Sequence, residues 1–348
     1  MSTSMRGAMY NGVRNVKLTT FPKPEIKPGA VIVKNVRAGI CGTDVHAYVV
    51  EGTGVGILEG NQFGHEMAGV IDEVGEGLTG FEKGTRVFVN PSTFREATPE
   101  MDATMSCDMA GAFSEYIMIE KPEWDYNIFK LPDQVTFDQA ALTEPLSVGM
   151  NAVLRADPKM DDHVIIMGAG TIGLAVLVAL KYFGVKEVIV SDMIPLRLEK
   201  VKAFGGIPFD ASKGNVNEFA IERWGSHTGY LGQVTNDADI VFDCAGYPGA
   251  LHDYLEYAML GSKLICVALG GASETFSSRD IVLRNASFIS ATGYTPEVNK
   301  KVLEMVASGK VSVDPFVTSK FGLSQIAEAF EAAADAKKNI KVEIVHAE

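Results

Sequence analysis

The chain has 348 residues, 47% hydrophobic and 22% charged, with a formal net charge of −13. That length accommodates two domains of ordinary size, and the composition is that of a soluble globular protein. So acidic a surface repels phosphate backbones and anionic bilayers, which argues against nucleic-acid and membrane partners. The four cysteines, Cys41, Cys107, Cys244 and Cys266, read as reduced thiols, since a chain of this size needs no disulfide staples. Residues 1–30 hold no continuous apolar stretch that would direct secretion, so the expected compartment is the cytoplasm.

Residues 1–150 read as short strands separated by Gly/Pro turns. A β-rich run at 30–36 follows Pro28-Gly29, and further strands are expected at 70–74 and 85–89. Between them stands the run Gly39-Ile40-Cys41-Gly42-Thr43-Asp44-Val45-His46, followed by Gly64-His65-Glu66 and, later, Glu144-Pro145. A thiolate, an imidazole and carboxylates in one region suit zinc, and a mixed set suits catalytic zinc. His65 and Glu66 are neighbours, so one strand face cannot present both. A loop or helix start brings both to the metal or leaves one beside it.

From about residue 160 strands alternate with helix-length segments. The spacing predicts strands at 163–167, 187–191, 240–242 and 263–269, and helices at 172–183 and 250–260. Pro195 opens another helix at its favoured first position. Such alternation predicts a doubly wound parallel sheet. The uncharged run 164–180 falls just short of a membrane span and divides better into a buried strand, a turn and a buried helix. Beyond residue 290 come a helix at 296–307 ended by Gly309, a helix N-capped by Ser324, and a closing strand at 340–345. The expected domains are 1–150, 151–289, and 290–348 returning to the first.

Within the second domain, Gly168-Ala169-Gly170-Thr171-Ile172-Gly173 follows a strand and opens a helix. Gly168 permits the tight turn, Gly170 the approach of a pyrophosphate, and Gly173 close helix–strand packing. Thr171 and Ile172 begin a helix whose free N–H groups face the phosphates. Asp192 ends the next strand, where a carboxylate accepts from a ribose diol and repels a 2′-phosphate, so NAD is expected over NADP. Arg197 is placed to stack on adenine or lean toward a phosphate. Cys244, Val267 and Leu269 follow later strands, where small turns leave room for the nicotinamide. A Lewis-acid metal and a hydride acceptor on one chain point to alcohol–carbonyl redox chemistry.

Taken together, Cys-Gly-Thr-Asp-x-x-His, Gly-His-Glu, Glu144-Pro145, Gly-Ala-Gly-Thr-Ile-Gly and Ile340-Lys341-Val342 resemble a zinc-dependent medium-chain alcohol dehydrogenase of the sorbitol/polyol branch. The resemblance implies a GroES-like β domain split around a Rossmann domain. It also implies zinc held by Cys41, His65 and either Glu66 or Glu144. Zinc with one thiolate, one neutral imidazole and one glutamate is a neutral set; a second glutamate makes it anionic. Three protein ligands are therefore favoured, with Asp44 accepting from the far nitrogen of His65. The resemblance further implies a proton relay through Thr43 and His46, and a homo-oligomer, tetramer or dimer.

Members of that family often carry a structural zinc on a four-cysteine lobe after the strand near residue 90. Here 91–111 holds only Cys107, so a single zinc per chain is expected. Met101, Met105 and Met109 recur every four residues there, suggesting a packed loop or helix. Tyr48, Phe94 and Phe113 are candidate pocket walls, and Arg95 a candidate carboxylate reader. The two glutamates favour hydroxylated substrates: polyols, sugars or sugar acids. The competing readings are a zinc-free quinone or enoyl reductase on the same scaffold, and a non-catalytic NAD-binding protein.

Overall fold

The computed structural model describes residues 3–91, 111–230, 232–270 and 274–346. Phe94, Arg95, Met101, Met105, Cys107 and Met109 lie outside the described residues. The chain divides into two compact units: 1–145 with 294–309 and 313–348, and 146–293 with 310–312. The breaks thus fall a few residues from the expected 150 and 290. The helix Thr143–Ala156 straddles the first break. Its opening turn, with Glu144, belongs to the first unit.

The first unit is built on a seven-stranded sheet. Its order is Val317–Gly322, Lys341–Val345, Val31–Gly39, Glu66–Val74, Arg86–Val89, Ile128–Lys130, with Tyr116–Ile119 also paired to Val31–Gly39. Antiparallel registers place Glu66 and Glu343 opposite Gly39 from either side. The end of one central strand, the start of its neighbour and the closing strand therefore meet at one place. Phe63, Phe113 and Phe330 pack edge-on or tilted behind it, with ring centroids 5.0–5.6 Å apart. These rings belong to one buried core with Met67, Ile71 and Val87, and such burial is the main favourable term in holding the sheet together. The expected N-cap at Ser324 is displaced: residues Leu323–Gln325 form a 3-10 turn, and the helix Ile326–Ala334 is capped at Gln325.

The second unit carries a six-stranded, wholly parallel sheet. Its order is Ile207–Asp210, Glu187–Asp192, His163–Met167, Ile240–Asp243, Lys263–Cys266, Ser287–Ser290. Numbered along the chain this is 3-2-1-4-5-6, the doubly wound dinucleotide order. The order reverses between His163–Met167 and Ile240–Asp243, and a ligand crevice belongs beyond the carboxyl ends of those two strands. The uncharged run resolves as expected. Val164–Met167 is buried strand, and Gly173–Leu180 is the buried length of the helix Thr171–Tyr182. Among the described residues no helix is long and apolar enough to cross a membrane.

Candidate metal centre and cofactor site

Cys41 is the N-cap of the helix Gly42–Val49, with extended backbone. The buried Asp44 carboxylate accepts the Cys41 backbone N–H at 2.9 Å, which ties down the helix start. His65 enters from a left-handed turn at Gly64 (φ +87°), where an added Cβ would lie 2.6 Å from the Phe113 ring. Only glycine meets both demands. Glu66 opens its strand against Gly39, whose missing side chain makes room: a Cβ there would lie 2.0 Å from Glu66 Oε2. Glu144 sits in the first turn of Thr143–Ala156, 9% exposed, and accepts from the Tyr294 hydroxyl at 3.0 Å.

One donor atom from each of Cys41, His65, Glu66 and Glu144 lies within 4.8 Å of the others. A tetrahedral zinc with bonds of 2.0–2.3 Å spaces its donors about 3.3–3.8 Å apart, so these residues fit that ion with small adjustments. Burial pushes the His65 imidazole down, but the charges of Cys41, Asp44 and Glu144 outweigh it and hold it well above the usual value. A metal held here would take the place of a proton on this ring. Burial pushes Glu144 up, and raises Asp44 to about 6.

A fifth side chain enters the cluster. Lys341 Nζ donates to Glu66 Oε1 and Oε2 at 2.7 and 2.8 Å, and to the Ile40 carbonyl at 3.0 Å. Its side chain is 2% exposed and that of Glu66 0%. Burial lowers the Lys341 pKa, yet Glu66, Cys41 and Glu144 raise it above the ordinary lysine value. Lys341 adds a positive charge to the thiolate, imidazole and carboxylates. With Lys341 included, both glutamates can stand beside a divalent zinc and the set remains neutral. The sequence carried no signal for this: polar and apolar residues alternate along Lys341-Val342-Glu343-Ile344, which reads as a lysine facing solvent, whereas all four residues are buried.

Other expected roles change. Asp44 does not serve His65: one oxygen holds the Cys41 N–H and Oδ1 has no hydrogen-bond partner. Tyr48 is core, tilted against Phe330 with its hydroxyl on Glu331 at 2.5 Å, and Phe113 is 0% exposed behind Gly64. Neither is a pocket wall here; both aromatic rings were recruited by the larger apolar core. Thr43 is half-buried and His46 exposed, three residues apart on one helix and so on the same side of it.

Two residues beyond Lys341, Glu343 is wholly buried with no partner on either carboxylate oxygen. Burial, helped by Asp138, pushes it up to about 8 from an ordinary 4.5, against the pull of Lys320, Arg37 and Lys341. The fold therefore keeps a proton that the unfolded chain releases. Stability falls as pH rises from about 4.5 through 8. Glu343→Gln removes this titration, so the variant should gain on the parent by a few kcal/mol between pH 5 and pH 8. Equal losses in both proteins across thermal melts at these pH values would refute the assignment.

In the second unit the fingerprint has the expected geometry. Gly168 has φ +95°, and a Cβ on Gly173 would lie 1.9 Å from the Gly168 carbonyl oxygen. Gly170 caps the helix led by Thr171 and Ile172, and a Cβ there would meet nothing closer than Arg197 Nη1 at 4.0 Å. That open space above a helix N-terminus fits a pyrophosphate. Asp192 accepts from the N–H groups of Ala169 and Ile194, both at 2.9 Å, and from Arg197 at 3.2 Å. It pins the fingerprint turn to the second strand, and Arg197 leans on it. Cys244 packs toward Gly173, whose Cβ would lie 3.5 Å from its own, and burial raises its thiol. It is thus a packing residue of the helix–sheet joint. Val267 donates its N–H to Asp243 O at 3.0 Å, and Leu269 is 90% exposed.

Comparison with known proteins matches residues 27–133 to the alcohol dehydrogenase GroES-like domain and 171–308 to the zinc-binding dehydrogenase domain. A sorbitol dehydrogenase of Bacillus subtilis (strain 168) is 31% identical over 349 residues, covering 96% of this chain and 95% of its own. The crystal structure of 2R,3R-butanediol dehydrogenase from Bacillus subtilis superposes with a TM-score of 0.83 at 27% identity, covering 98% and 99% of the two chains. A short chain alcohol dehydrogenase from E. coli CFT073, solved with NADH, gives 0.84 at 25% identity over 99% and 100%.

Proposed function

This chain belongs to the zinc-dependent medium-chain alcohol dehydrogenase family, in its polyol branch, and we propose that it transfers hydride between NAD and a secondary hydroxyl of a polyol, sugar or sugar acid. The observation that carries this reading is the convergence of Cys41, His65, Glu66 and Glu144 donors within 4.8 Å of one another. Cys41, His65 and Glu144 are the protein ligands in this reading, because both oxygens of Glu66 are held by Lys341. Bound zinc supplies Lewis acidity to the substrate hydroxyl, and NAD supplies the hydride acceptor.

The remaining work falls to the chain. Thr43 Oγ1 accepts the hydrogen bond of the substrate hydroxyl and, as that proton moves to it, gives up its own proton, which the exposed His46 ring passes to solvent through the cofactor ribose. The sorbitol and butanediol dehydrogenases that this chain resembles support a substrate carrying neighbouring hydroxyls. Gly168, Gly170 and the helix start at Thr171, Ile172 and Gly173 cradle the pyrophosphate. Asp192 faces the ribose diol and disfavours a 2′-phosphate, with Arg197 against the adenine, so the coenzyme is NAD. Val267 and Leu269 border the nicotinamide end. One zinc per chain, a tetrameric assembly and a cytoplasmic location complete the proposal.

The test combines metal analysis with turnover. Purified protein should hold about one zinc per chain and reduce NAD with sorbitol or 2,3-butanediol, far better than NADP. Chelation should abolish this and added zinc restore it. Activity that survives complete metal removal would instead favour a zinc-free quinone or enoyl reductase.

A further inference from the structure

Two glutamates compete for one metal position, and each is gripped by a donor from a different part of the chain. Glu66 is held by a cation through both oxygens. Glu144 is held by a neutral hydroxyl through Oε1 alone. Tyr294, 3% exposed, lies in the segment that leads into the helix Pro296–Ser308, 150 residues beyond Glu144 in sequence. A phenylalanine would bury the same ring and lack the hydroxyl that reaches Glu144.

We propose that Tyr294 is a positioning residue for the metal: its hydroxyl fixes Oε1 of Glu144 and so aims Oε2 at the ion, while Lys341 keeps Glu66 back. This rests on the proposed zinc reading and deepens it. The physical basis is twofold. A carboxylate rotates freely about its last torsion unless one oxygen is anchored. A hydrogen bond from a partner beyond the ligand typically changes metal affinity 10–100-fold. A neutral donor also leaves the Glu144 negative charge available to the metal, which the Lys341 ammonium does not do for Glu66.

The experiment uses full-length protein stripped of metal and titrated with cobalt(II), whose visible bands report ligand geometry. Tyr294→Phe should weaken cobalt binding 10–100-fold and shift the bands, while the metal-free protein melts and folds like the parent. Glu144→Gln should weaken binding as well, and adding Tyr294→Phe to it should cost little more. Parent-like affinity and bands in Tyr294→Phe would overturn the inference alone. A full further loss in the double variant would also overturn it, by showing a merely structural role. Failure of the parent to bind one cobalt per chain would overturn both this inference and the zinc reading beneath it.

Discussion

Cys41→Ala is expected to lower turnover about a thousand-fold or more and to leave the protein with far less than one zinc per chain. A Lewis-acid metal contributes several kcal/mol to transition-state stabilisation, and each ~1.4 kcal/mol is a factor of ten in rate. Cys41 is the sole sulfur donor of the cluster, and its loss leaves His65 and carboxylates to hold the ion. The fold should survive, because the structural contact made at this position is the backbone N–H to Asp44, which alanine keeps. Cys266→Ala, at an exposed strand end outside the cluster, is the control and should leave both zinc and turnover intact. Metal analysis and steady-state kinetics decide; a Cys41→Ala enzyme with full zinc and parent-like rates would remove Cys41 from the ligand set.

Lys341→Met should destabilise the metal-free protein by about 3–5 kcal/mol, the usual cost of leaving one member of a buried ion pair alone. For a unit of this size that is a fall in melting temperature on the order of 10 °C. The cause is specific: the lysine supplies hydrogen bonds to both oxygens of a carboxylate that no water reaches, and a further one to the Ile40 carbonyl. Methionine fills a similar volume and supplies none of them. Combining it with Glu66→Gln should recover much of the loss, since replacing both charges is far cheaper than removing one. Zinc should narrow the deficit as well, because the freed Glu66 carboxylate then has a cation to meet. Thermal melts with and without metal check this. A Lys341→Met protein that melts with the parent would mean that Glu66 carries no charge to compensate.

Much of the cofactor unit was legible in residue order. A glycine spacing, an apolar strand before it and an acidic residue at the next strand end are local signals, and each reports a backbone demand that nearby residues satisfy. The same holds for Pro195 at a helix start and Gly309 at a helix end, where it takes φ +65°. The metal donors were legible as types, because thiolate, imidazole and carboxylate have few other reasons to cluster beside Gly-rich turns. Roles that depend on distant partners were not. Asp44 looked like a partner for His65, but its nearest unsatisfied donor is the helix N-terminus it belongs to. Tyr48 and Phe113 looked like pocket walls, but an aromatic side chain gives no sign of which way it is buried.

The dinucleotide turn and the candidate ligands could be read from residue order, because they follow from spacing and side-chain chemistry within short stretches. How differently the two glutamates are held emerges only from the folded chain. That depends on Lys341, 275 residues from Glu66, and on Tyr294, 150 from Glu144. Both are brought in by strand register and segment packing, and a buried charge takes its character from whichever partner the fold delivers.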